Sequence, residues 1–126
     1  MLDHIGIGVT DFAKSRAFYD LALAPLGIIK MREFTAAETG GFEGAGYGNE
    51  RPFFWIGISS DVAPVHIAFR AKDRLTVDAF HKTALAAGGR DNGAPGLRPH
   101  YHPNYYGAFV LDPDGHNIEA VCHAPA

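Results

Sequence analysis

Cysteine, methionine and tryptophan are all scarce in this sequence, with one, two and one in 126 residues. A single thiol, Cys122, cannot form an intramolecular disulfide, which predicts a reduced, cytoplasmic setting. No apolar run approaches the roughly 20 residues that span a bilayer, and the first residues do not read as a basic region followed by an apolar stretch. We therefore expect no membrane-spanning segment and no membrane partner.

The sequence also lacks an excess of positive charge. Lys and Arg number 11 against 14 Asp and Glu, the formal net charge is −3, and the basic residues are isolated from one another. Binding to a nucleic-acid backbone or to an anionic lipid surface requires a concentration of positive charge. The composition thus argues against nucleic acid and membrane surfaces as partners, and the length fits one compact domain or two half-size modules with a common core.

One pattern occurs twice along the chain. A short β-branched segment at 3–9 is followed by apolar residues at helical spacing up to Gly27, and the segment 65–71 is followed by the same pattern up to Gly89. At an offset of 62 residues, nine of the 24 positions from 4 to 27 are identical, where ordinary residue frequencies give about one or two. The repeat predicts two modules, about 1–60 and about 64–126, within a single domain covering 1–126.

Each module is predicted to be strand, helix and three further strands. The fold class is α+β: two βαβββ modules related by internal duplication, with mixed sheets curled into a shared trough and helices on the outside. The further strands are expected at 28–34, about 41–48, 53–59, 90–93, 105–111 and 117–123. The segment 93–104, with three prolines, is expected to be a surface loop, and Asp112-Pro113-Asp114-Gly115 is expected to be a hairpin turn.

Three candidate metal ligands follow from strand alternation. Because alternate side chains share a face, His4 and His66 lie opposite the β-branched residues that face the helices. Glu119 alternates in the same way with the apolar residues of the last strand. Two imidazoles and a carboxylate suit Fe, Mn, Zn or Ni and leave coordination positions free for a substrate. The alternative is that each histidine is a hydrogen-bonded structural residue and that Glu119 faces solvent.

Three segments resemble the vicinal oxygen chelate superfamily, which includes glyoxalase I, extradiol dioxygenases and bleomycin resistance proteins. They are the opening Asp3-His4-Ile5, the second-module segment 65–69 and the closing segment 109–119. The resemblance covers nearly the whole chain and implies the ligands His4, His66 and Glu119, as well as a homodimer. A fourth ligand would fall 62 residues before Glu119, at Gly57, and glycine cannot ligate. The remaining set resembles that of the extradiol dioxygenases.

Further candidates surround the proline-rich segment. His102, Tyr105 and Tyr106 are candidate catalytic acids, bases or hydrogen-bond donors. The candidate substrate-binding residues are Trp55, Arg98, His100 and Tyr101. For the aromatic and histidine side chains of the loop the alternative is simple packing, and for Arg98 it is a solvated surface position.

Two functions remain open at the level of the sequence. The first is a divalent-metal-dependent enzyme of lyase, isomerase or dioxygenase type that chelates paired oxygens of a small substrate. The second is a metal-free protein that binds a small molecule in the same trough, as in bleomycin resistance. The survival of all three ligands favours the enzyme.

Overall fold

A computed structural model describes all residues from Met1 to Ala126. The elements are β1 (Ile5–Val9), α1 (Phe12–Ala22), a 3₁₀ turn (Ala24–Leu26), β2 (Ile29–Phe34), α2 (Ala36–Thr39), β3 (Gly44–Gly48), β4 (Pro52–Ile58), β5 (His66–Arg70), α3 (Arg74–Ala86), β6 (Arg90–Leu97), β7 (Tyr106–Leu111) and β8 (Asn117–Cys122). The strands form two four-stranded mixed sheets, in the orders β1-β4-β3-β2 and β5-β8-β7-β6, so that each module has its own sheet. The predicted duplication of a βαβββ unit is confirmed.

The two long helices begin in the same way in both modules. The Asp11 carboxylate accepts a hydrogen bond from the Lys14 backbone N–H at 3.1 Å. Asp73, its counterpart in the repeat, accepts one from the Thr76 backbone N–H at 2.8 Å. Each carboxylate satisfies an amide that the first helical turn leaves unpaired. Local capping therefore fixes where both helices start.

One hydrophobic core joins the two modules. Phe54 of β4 and Phe69 of β5 meet edge to face with their ring centroids 5.3 Å apart. Phe18 of α1 and Phe80 of α3, which are identical in the repeat, are both fully buried in this core. The helices cover one face of the sheets, and the opposite faces carry Trp55 and Glu119, which lie outside this core.

The β7–β8 turn also ties the modules together. The Tyr19 hydroxyl on α1 donates to Asp112 at 2.6 Å, and the Thr10 hydroxyl donates to Asp114 at 2.6 Å. Burial and the neighbouring Asp112 carboxylate raise the pKa of Tyr19 well above its usual value. The turn of the second module is thereby bound to α1 of the first module and to Thr10, which precedes that helix.

His116 completes this junction. Its Nε2 donates to the Gly8 carbonyl at 2.8 Å, and its Nδ1 accepts from the Val65 N–H at 3.0 Å. The ring is 1% exposed. A neutral imidazole with its proton on Nε2 satisfies both partners, which gives this histidine a structural role.

Two local features differ from the sequence prediction. β6 continues to Leu97, whereas the sequence predicted that a loop begins at 93. It is an edge strand, where Pro95 removes no hydrogen bond from the sheet, and its pairing shifts at Gly93, whose φ is +151°. The short α2 was not predicted, and a capping box between Thr35 and Glu38 stabilises its start.

Strand pairing also corrects the position equivalent to Glu119. Gly6 of β1 lies opposite Trp55 of β4, and Ala68 of β5 lies opposite Glu119 of β8. Because Gly6 and Ala68 correspond in the repeat, Trp55 is the first-module counterpart of Glu119, at an offset of 119 − 55 = 64. The prediction that Gly57 holds this position is wrong by two residues. The residue identities that define the repeat end at 27, so they could not reveal two additional residues before the last strand of the second module.

Candidate active site

The second module brings two of the three predicted ligands into direct contact. The His66 ring at the start of β5 bonds through Nε2 to Glu119 Oε1 at 2.8 Å. The Glu119 side chain is 1% exposed, whereas the His66 side chain is 52% exposed. The pair therefore consists of a buried carboxylate and an imidazole that is open to solvent on its other side.

Tyr105, immediately before β7, contacts the same carboxylate. Its hydroxyl donates to Glu119 Oε2, the oxygen that His66 does not contact. Burial and the hydrogen bond to Glu119 raise the pKa of Tyr105 above its usual value. Tyr105 is thus a neutral hydrogen-bond donor at neutral pH.

His4 is held by an acidic neighbour. Its Nδ1 donates to Asp3 Oδ2 at 2.7 Å, and Arg51 Nη2 donates to Asp3 Oδ1 at 2.6 Å. The hydrogen bond from His4, with the charge of Arg51, holds the pKa of Asp3 below its usual range. With the proton on Nδ1, Nε2 of His4 is left as a free electron-pair donor. Histidines that ligate metals commonly have a carboxylate on the other ring nitrogen in this way.

The three candidate ligands do not form one cluster within a single chain. His4 and His66 both line a cavity of about 500 Å³ where the starts of β1 and β5 approach each other. No group of three His, Cys, Asp or Glu side chains lies close enough to hold a metal ion. The structure therefore brings His66 and Glu119 together and leaves His4 apart from them.

The donor atoms of His66 and Glu119 suit a divalent ion. Two ligands at about 2.1 Å from one ion and at right angles to each other lie about 3 Å apart. The 2.8 Å between His66 Nε2 and Glu119 Oε1 agrees with this spacing. An imidazole nitrogen and a carboxylate oxygen are also donors that Fe, Mn, Zn and Ni accept. His66 and Glu119 therefore fit two positions of a metal site, and a third donor would complete the site.

The corresponding face of the first module is aromatic. Trp55 stacks on Phe34 with a centroid distance of 6.2 Å and an interplanar angle of 13°. The indole lies so close to Gly46 that a Cβ there would be 2.7 Å from the ring. Phe42 covers Gly57 in the same manner, at 2.9 Å from such a Cβ. Aromatic rings therefore fill the space above these glycines.

The loop that follows β6 places its candidates in different surroundings. Arg98 donates to the carbonyls of Gly96 and Ala94, both at 2.9 Å. Two of its N–H groups therefore bond to the protein's own backbone. His100 and Tyr101 have ring centroids 4.2 Å apart, in an exposed pair.

His102 and Tyr106 also have partners of their own. His102 accepts the Asn104 N–H on its Nδ1 at 3.1 Å. Tyr106 donates to Asp78 of α3 at 2.6 Å, on the helix side of the sheet. The structure does not bring Tyr106 to the site, because adjacent residues of a strand point to opposite faces.

Two features of the site were missed at the level of the sequence. Asp3 and Arg51 are 48 residues apart, and no local pattern links them. Phe42 lies in the connection after α2, which was predicted to be strand. The one local signal is that Asp3 directly precedes His4 in the sequence.

Residues 1–120 match the model of the Glyoxalase/Bleomycin resistance protein/Dioxygenase superfamily. The chain belongs to this superfamily. Among solved structures, a glyoxalase/bleomycin resistance protein from Albidiferax ferrireducens T118 is 29% identical, with a TM-score of 0.75 and 99% coverage of each chain.

Two more distant structures of the superfamily share the fold. A glyoxalase/bleomycin resistance protein/dioxygenase family enzyme from Burkholderia phytofirmans PsJN is 20% identical, with a TM-score of 0.69 over 96% of this chain and 97% of that one. The V278E mutant of glyoxalase I from Zea mays is 19% identical, with a TM-score of 0.69 over 95% of this chain and 43% of the maize chain. No curated protein sequence matches significantly. None of the helices has the length and hydropathy needed to cross a bilayer.

Proposed function

We propose that this member of the superfamily is a divalent-metal-dependent enzyme that chelates paired oxygens of a small substrate, in a reaction of lyase, isomerase or dioxygenase type. The observation that supports it best is the contact of His66 with a fully buried Glu119 carboxylate. Burying a carboxylate is costly unless it is paired. A bound divalent ion would act as a Lewis acid on the substrate oxygens.

We further propose that His4 supplies the third donor from a second copy of the chain. His4 and His66 are 60% and 52% exposed, and both line the cavity between the starts of β1 and β5. Leu2, Ile5 and Val65 expose apolar side chains next to these histidines. A homodimer would cover this surface and could bring His4 of one protomer to the His66–Glu119 pair of the other. Sedimentation tests the dimer.

The remaining candidates then have proposed roles around the ion. The Trp55 indole would form an apolar wall for the substrate, and His102 would act as an acid or base through its free Nε2. His100, Tyr101 and Arg98 would contact the substrate from the loop. Cytoplasmic location is proposed from the single, buried Cys122, with no nucleic acid or membrane as partner.

Metal binding provides the direct test. Protein purified without chelator should contain metal, and added Ni²⁺, Zn²⁺, Mn²⁺ or Fe²⁺ should raise the melting temperature, because a ligand that binds only the folded state stabilises it. His66→Ala should abolish that rise. His81→Ala is the matched control, since His81 bonds to Asp91 away from the site. Less than about a tenth of an equivalent of metal, with no thermal shift in the wild type, would overturn the enzyme proposal.

The second candidate function is a metal-free binding or resistance protein. The aromatic side chains of Trp55, Phe34 and Phe42 favour it, because small-molecule sites are lined mainly by apolar and aromatic residues. Trp55 is the single tryptophan, so tryptophan fluorescence reports on the surroundings of this one residue. Ligand-dependent quenching of its fluorescence that is unaffected by EDTA would favour this function over the enzyme.

A further inference from the structure

We propose that Tyr105 is a positioning residue that reserves a single oxygen of Glu119 for the metal. This inference rests on the proposed function. Both oxygens of the carboxylate are engaged, Oε1 by His66 at 2.8 Å and Oε2 by the Tyr105 hydroxyl. The oxygen held by Tyr105 is withdrawn from the side on which His66 lies.

The chain makes room for this contact at one position. Gly107 of β7 lies beneath it, and a Cβ there would be 3.2 Å from Glu119 Oε2 and 3.2 Å from Tyr105 Cε1. Both distances are tighter than ordinary contacts of a Cβ with its neighbours. Any other residue would press on the two partners of the bond. The absence of a side chain at 107 lets the ring of Tyr105 reach the carboxylate.

Tyr105 is itself fixed on both sides. Its carbonyl accepts the Arg98 N–H at 2.7 Å, and its own N–H donates to the His102 carbonyl at 3.1 Å. Its ring packs edge to face against Tyr101 and His123, with centroids 5.0 and 5.2 Å away. The hydroxyl is therefore presented to Glu119 by a closed loop, so the orientation of the carboxylate does not depend on a mobile side chain.

This arrangement decides how many oxygens Glu119 offers to an ion. A carboxylate with two free oxygens can bind a metal through both, whereas one that gives an oxygen to a hydrogen bond binds through the other. Groups that hydrogen-bond to a ligand commonly set its orientation and tune the affinity for metal. With Tyr105 in place, one more coordination position stays open for the paired oxygens of a substrate.

The experiment compares two adjacent tyrosines. Tyr105→Phe removes the hydroxyl at Glu119, and Tyr106→Phe removes the one at Asp78 on the opposite face of the sheet. Co²⁺ is the probe, with its dissociation constant from calorimetry and its visible absorption as a report on coordination. We expect Tyr105→Phe to weaken Co²⁺ binding about 10- to 100-fold and to change the absorption spectrum, and Tyr106→Phe to leave both as in the wild type.

Gly107→Ala provides a second variant that disturbs the same bond from beneath and keeps the hydroxyl. Gly107→Ala should change the Co²⁺ absorption spectrum in the same direction as Tyr105→Phe. If Tyr105→Phe does not fold, the spectrum of Gly107→Ala decides whether Tyr105 positions Glu119. Equal affinities and spectra for Tyr105→Phe and the wild type would overturn the positioning role while leaving the proposed function intact. Absence of Co²⁺ binding by the wild type would overturn both.

Discussion

The two modules start alike and finish differently. In both modules a histidine, His4 or His66, lies at, or directly before, the start of the first strand. An aspartate then caps the helix that follows. On the last strand, the position that is Glu119 in the second module is Trp55 in the first. The half that carries the carboxylate has a polar site, and the half that carries the indole has an aromatic surface over glycine.

This difference separates the demands of folding from those of chemistry. Phe18 and Phe80 are identical because both helices bury the same face in one core. Trp55 and Glu119 lie outside that core, on the faces away from the helices. After a duplication, such positions are free to diverge, so one half can carry a carboxylate while the other carries an indole.

The largest expected effect is the loss of metal affinity when Glu119 is replaced. Glu119→Gln keeps the shape of the side chain and removes its charge, so we expect affinity for Ni²⁺ or Zn²⁺ to fall about 100-fold or more, equivalent to about 2.7 kcal/mol. Trp55→Gln, the same change at the first-module counterpart, should leave that affinity within about twofold. Calorimetric titration measures both. Equal losses in the two variants would mean that both halves contribute to the ion.

A smaller effect, on the stability of the fold, is expected from the Tyr19–Asp112 bond that joins the two modules. Tyr19→Phe removes the buried bond to Asp112 and should lower the free energy of unfolding by about 2 kcal/mol at pH 8, as measured by urea titration. Because the folded-state pKa of Tyr19 is raised above that of an unfolded tyrosine, its contribution is fully present below about pH 10 and is lost as the pH rises further. The difference between wild type and variant should therefore shrink at pH 11. A difference that stays constant would show that the hydroxyl proton does not link the halves.

The smallest effect is expected from restoring symmetry. Trp55→Glu places an acid at the first-module counterpart of Glu119 and should strengthen Ni²⁺ binding about tenfold, provided that this face meets the ion in the assembled dimer. The comparison is with Trp55→Gln, which has the same loss of the indole but no charge. An unchanged affinity in calorimetry would mean that the Trp55 face lies outside the coordination sphere.

The repeat predicted much of this site and strand alternation predicted more. His4 and His66 emerged as a pair because the offset of 62 holds through the first helix, and Glu119 followed from its place opposite the apolar residues of β8. Trp55 could not be recognised as the counterpart of Glu119, since two additional residues enter beyond the region of identity. Alternation also separates Tyr105 from Tyr106, but only the structure shows which of the two faces the carboxylate.

Other features depend on contacts between distant segments. The bond of Arg51 to Asp3 joins two parts of the chain that have no shared pattern. The separation of His4 from the His66–Glu119 pair depends on how the modules dock through Phe54 and Phe69, which periodicity within one strand does not describe. The loop after β6 was predicted too long because an edge strand tolerates Pro95.

The turn between β7 and β8 lies within the closing segment 109–119, and its side chains bond to the first module. The side chains of Asp112, Asp114 and His116 bond to Tyr19, Thr10 and Gly8 of the other half. Part of the closing segment that resembles the superfamily thus fastens the two halves to each other. In this chain these residues therefore have a role in joining the modules that does not depend on any chemistry at the candidate site. The second half expressed alone would keep these three side chains and would lack their partners Tyr19, Thr10 and Gly8.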